Sequence, residues 1–152
     1  MYTPEEKQKI EQVITIFHDY WQHAANAYAQ PLCEIHWMER MQCYVLLLNY
    51  SMTKTISERD LFAIPIQSAE ELFMELVDEL AYEIYSKYYL SELPKTEITE
   101  VLLGKLQEEI MATLNPYLQA LPQYKDLAIQ TITARGETYI DSDKTLTEIV
   151  EP

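Results

Sequence analysis

Apolar residues recur at helical spacing along most of this chain. Thr3-Pro4-Glu5-Glu6 reads as a helix start, with a capping threonine, proline at the first position and glutamate three residues after the cap. Ile10, Val13, Ile14, Phe17, Trp21, Ala24, Ala25 and Tyr28 then follow one stripe over about five turns, closed near Pro31. Residues 32–54 carry Ile35, Trp37, Met38, Met41, Tyr44, Val45, Leu48 and Met52, with Leu46 and Leu47 off the main stripe. A helix apolar on nearly every side belongs at the centre of a bundle, with Val45 and Leu48 fully buried. The rival reading makes 43–50 a buried strand, because a short apolar run does not fix a period. The helix is the preferred reading.

Residues 55–67, with Ile64-Pro65-Ile66, read as a connection. Ser68-Ala69-Glu70-Glu71 is a second capping box, opening a stripe of Leu72, Phe73, Leu76, Val77, Leu80, Ala81, Ile84 and Tyr88 that ends at Leu93-Pro94. Thr96 or Thr99 caps the next helix, which Asn115-Pro116 is expected to break or kink. A shorter helix over 122–135 follows, with Gly136 as its C-terminal cap. Residues 137–152 form a tail that docks, folds into a small hairpin or stays loose, docking being favoured. The expected fold class is all-α, a single-domain bundle of four to five helices over residues 1–136 with a short C-terminal tail or small hairpin over 137–152.

Composition supports helices. Hydrophobic residues make up 48% of 152, and only 2 residues are glycine, too few for a hairpin-rich fold. The N-terminus lacks a basic stretch followed by an apolar one, and no apolar run reaches membrane-spanning length, so a cytoplasmic protein is expected. Cys33 and Cys43, placed on one helix, are about 15 Å apart and stay reduced. Without secretion, the sequon Asn49-Tyr50-Ser51 is a chance match.

Motifs for catalysis are missing. His18 and His23 are five residues apart, on different sides of a helix, and His36 near a second helix start has no partner at metal-ligand spacing. Cys33 and His36 lack an orienting third group, Asp141-Ser142-Asp143 lacks the glycine of a calcium loop, and no phosphate loop, nucleophile elbow or dinucleotide fingerprint occurs. The expectation is a non-enzyme with no catalytic residue, no metal and no cofactor.

Charge and aromatic content narrow the function. The net charge is −14, which repels phosphate backbones and argues against direct nucleic-acid binding. Residues 57–100 alone hold 11 acids and 3 bases. On the helix starting at Ser68, Glu71, Glu75, Asp78 and Glu79 gather opposite the Leu/Ile stripe, and Tyr82 and Tyr89 continue the row. Tyrosine outnumbers phenylalanine 12 to 3, a tilt toward rings suited to interfaces. These six residues form the candidate partner-binding site: charge to steer a basic protein, rings to hold it. The favoured function is an acidic inhibitor that blocks the basic, nucleic-acid-binding surface of a nuclease or similar partner. Toxin-immunity proteins and phage anti-defence proteins, anti-CRISPR proteins among them, are of this kind. The alternatives are a small helical subunit of a permanent assembly, and a small-molecule-binding bundle with Trp21, Trp37 and His18 around an internal pocket. A plain solvated helix face is the bland reading of the acidic row.

Overall fold

The structure is a computed structural model that describes the backbone of residues 2–23, 33–48, 63–91 and 100–150. Side chains are described for these residues except 19–23, 48, 86–91, 100–102 and 139–150. The fold is mostly helical but includes a sheet: α1 (Pro4–His23), β1 (Cys33–Met38), β2 (Cys43–Leu48), β3 (Ala63–Pro65), α2 (Ala69–Ser91), α3 (Glu100–Ala120), a 3₁₀ turn (Pro122–Tyr124) and α4 (Lys125–Val150). The chain divides into two compact units, Met1–Phe73 and Met74–Pro152.

In the first unit, the Thr3 cap forms as expected, its Oγ1 accepting the Glu6 N–H at 3.1 Å. One face of α1 buries Ile10, Val13 and Phe17, and Phe17 meets Phe73 edge-on at 5.8 Å between ring centroids. The expected central helix over 32–54 is not there. Its described part is an antiparallel hairpin, β1 against β2, with β3 on the far side of β2. Trp37 stands opposite Tyr44, and Ile35 opposite Leu46, so apolar residues that a helix would spread around its circumference share one sheet face here. The Trp37 and Tyr44 rings pack edge-to-face at 4.9 Å.

The turn explains why the pattern misleads. No glycine marks it; Gln42 takes the left-handed conformation at φ 53°, which favours glycine. Its side-chain amide donates to the Glu39 carbonyl at 2.7 Å and to the Glu39 carboxylate at 3.0 Å, holding the turn closed. Trp37 Nε1 donates to the other Glu39 oxygen at 2.7 Å. The two bonds to the carboxylate, from Trp37 and then Gln42, pull the Glu39 carboxyl below its usual range. Val45 is buried as expected, although in a strand; the Leu48 side chain lies outside the described residues.

Residues 63–65, read as part of a connection, form the third strand. Pro65 is tolerated because β3 is an edge strand, where a missing N–H costs no ladder bond. Pairing resumes at Ile66, whose N–H donates to the Tyr44 carbonyl at 2.9 Å. Tyr2 ties the N-terminus to this sheet: its hydroxyl donates to the Ile66 carbonyl and accepts the Tyr44 N–H. Cys33 and Cys43 are both free. They sit at opposite ends of the hairpin, facing Leu48 and Met38, rather than along a helix.

In the second unit, α2, α3 and α4 bury Leu76, Val77, Leu80, Ala81, Tyr85, Leu103, Leu106, Ile110, Leu114, Leu118, Ala128 and Ile132. Helix α3 runs through Pro116 to Ala120 rather than breaking at Asn115-Pro116. Ala112 and Pro116 are exposed, so the carbonyl that loses its helical partner is available to water. The last helix likewise runs past Gly136 to Val150, where a cap followed by a tail was expected. Gly136 is present for packing instead. A Cβ there would lie 2.8 Å from Leu103 Cδ1 and 2.9 Å from the Tyr85 hydroxyl, so any side chain at 136 requires those two tips to shift.

The acidic row on α2

The cap of α2 forms as expected and occupies the first acid of the row. Ser68 Oγ accepts the Glu71 N–H at 3.1 Å, and the Glu71 carboxylate reaches back to the Gln67 N–H at 3.1 Å. Glu6 of α1 adds a third acceptor, taking the Ala69 N–H at 2.6 Å. Three carboxylates, Glu6, Glu70 and Glu71, therefore surround a helix N-terminus, where the peptide dipoles favour negative charge. Glu71 has a structural role.

Further along, Asp78 is not part of a bare anionic face. Arg135 on α4 donates Nε to one Asp78 oxygen at 2.8 Å and Nη2 to the other, a two-bond fork. The same guanidinium lies 5.5 Å from the Tyr82 ring centroid. Lys87, the one base close by in the helix itself, gave no sign of this; the compensating charge comes from a helix 57 residues away in sequence. Glu75 is half-buried.

Glu79 departs most from expectation. The helical wheel puts it on the solvent side, yet only 6% of it is accessible, and it is the single buried charged residue among those described. No hydrogen bond or ion pair to its carboxyl occurs among the described residues. Burial pushes the carboxyl up from 4.5 to about 7, Glu83, Asp78 and Glu75 push the same way, and Arg135 partly offsets them. Such a group holds or releases a proton near neutrality. The Tyr89 side chain lies outside the described residues. The row thus brings Glu75, Asp78 and Tyr82 together at a half-exposed surface, removes Glu79 into the interior and assigns Glu71 to a cap.

No protein-family model, curated protein or solved structure matches the chain.

Two of the three histidines have described side chains, and they lie on different elements. His18 is exposed on α1, His36 is on β1 rather than a helix start, 3.7 Å from Glu34, and the His23 side chain lies outside the described residues. No group of three metal-ligating side chains occurs among the described residues. Trp37, assigned to an internal pocket in one alternative, instead joins Tyr2 and Tyr44 in an aromatic cluster with Lys7 Nζ 4.5 Å from its ring centroid. No described helix is long and apolar enough to cross a membrane.

Proposed function

We propose that this protein is an acidic binding protein that acts in the cytoplasm by covering a basic surface of another protein, a nuclease or other nucleic-acid-binding protein. The observation that carries this reading is where the charge sits. The unit from Met74 to Pro152 holds 15 acids and 6 bases. Internal pairing in that unit engages Asp78, and burial removes Glu79, but Glu108, Glu109, Asp126 and Glu137 are exposed against exposed Lys105 and Lys125. A surface with that balance repels nucleic acid and attracts the proteins that bind it.

The test is capture of a partner from the native host, followed by competition. A captured nucleic-acid-binding protein should lose its nucleic acid as this protein is added. A partner that binds both together, or one with an acidic contact surface, refutes the reading. Exposed Met38 and Met41 around the hairpin turn, 39% and 48% accessible, favour the second reading, a subunit of a permanent assembly. That reading requires association that does not weaken as salt rises.

A further inference from the structure

We propose that the groove between α2 and α4 in the second unit is the seat of an arginine- or lysine-bearing segment of the basic partner. This inference rests on the reading above and names where on the molecule it acts. The groove has about 280 Å³ of space and is lined by Met74, Glu75, Asp78, Leu127, Gln130, Thr131 and Ala134. That is slightly less than the roughly 300–1,000 Å³ of small-molecule sites, and it suits one or two long side chains laid along it.

Its lining combines apolar, polar and acidic side chains. Met74, 39% accessible, with Leu127 and Ala134 makes an apolar bed, while Glu75 and Asp78 stand together one turn apart on the α2 rim. Lysine and arginine have the matching division, an aliphatic stem ending in a cation. An acidic or apolar segment matches only half of this lining, and a phosphate backbone is repelled by the rim.

Arg135 shows how the rim receives a guanidinium. It forks onto Asp78 with its central carbon 5.5 Å from the Tyr82 ring centroid. A carboxylate offers about four lone-pair sites, and this fork takes two of them. Arg135 therefore fixes Asp78 in place and offsets its charge while leaving acceptor sites open, so a second cation arriving along the groove is drawn by the rim as a whole, Glu75 included, and can still hydrogen-bond to an oriented carboxylate. Arg135 acts here as a positioning residue.

The test uses the full chain and a fluorescent seven-residue peptide with two arginines among leucines. Three variants separate the groove from general acidity. Ala134→Trp fills the bed without changing charge, Glu75→Lys reverses the rim, and Glu109→Lys makes the same charge change on α3, outside the groove lining. Circular dichroism and melting temperature confirm that each variant folds. The expected result is a loss of affinity of tenfold or more for Ala134→Trp and Glu75→Lys, with Glu109→Lys within about twofold of the native protein. If Ala134→Trp binds normally and the two charge reversals weaken binding equally, the attraction is diffuse; the groove proposal falls while the acidic-binder reading stands. If the native protein does not bind the peptide, the groove proposal falls outright, and the acidic-binder reading is judged separately by competition with the captured partner.

Discussion

Replacing Glu79 with glutamine should change how stability depends on pH, with little effect at low pH. In the unfolded chain this carboxyl titrates at its ordinary value of 4.5; in the native protein it titrates at about 7. Below the lower value both states hold the proton, and the group contributes nothing to pH dependence. Between the two values the native state keeps the proton and the unfolded state has lost it, so stability falls as pH rises. Above 7 the native protein carries a buried charge and the loss is complete. At 1.36 kcal/mol per unit, the interval corresponds to about 3 kcal/mol. Glutamine has nearly the same shape and never ionises, so it removes that loss. Urea unfolding of both proteins from pH 4 to pH 9 measures the difference directly, and other carboxylates cancel in the subtraction. The two curves should coincide near pH 4 and separate to about 3 kcal/mol by pH 8 in favour of Glu79→Gln. Parallel curves across the range, or a glutamine variant that is less stable at pH 8, would refute the burial argument.

Removing Arg135 with Arg135→Met should push the Glu79 midpoint higher still, because a cation that partly offsets its burial is lost; titration of the Glu79 carboxyl by NMR reads this out. Gly136→Ala and Gly104→Ala should diverge in thermal melts. The first meets Leu103 and Tyr85 and is expected to lose about 1–3 kcal/mol, while the second meets nothing within 4 Å and should gain up to about 1 kcal/mol. Ser68→Ala should cost about 1 kcal/mol in chemical denaturation by freeing the Glu71 N–H from its cap.

Helix starts were the most legible feature of the sequence. Thr3 and Ser68 announce their caps with residues at fixed offsets, and both caps form. The hairpin was not legible because its turn uses Gln42, a residue with no turn signature, stabilised by bonds to Glu39 that depend on the closed turn itself. Gly136 and Pro116 were read by their local habits, yet tertiary packing at one and solvent at the other decide their roles. The candidate site was half legible. A helical wheel gives the angular position of Glu79 but not what covers that angle, and nothing near Asp78 in sequence points to Arg135.

The central claim is that charge brings this protein to a basic partner. The most direct test is the association rate with the captured partner, measured by stopped flow as ionic strength is raised. Steering predicts a rate that falls steeply with salt, while dissociation changes little. An association rate that stays flat across the same salt range contradicts the claim.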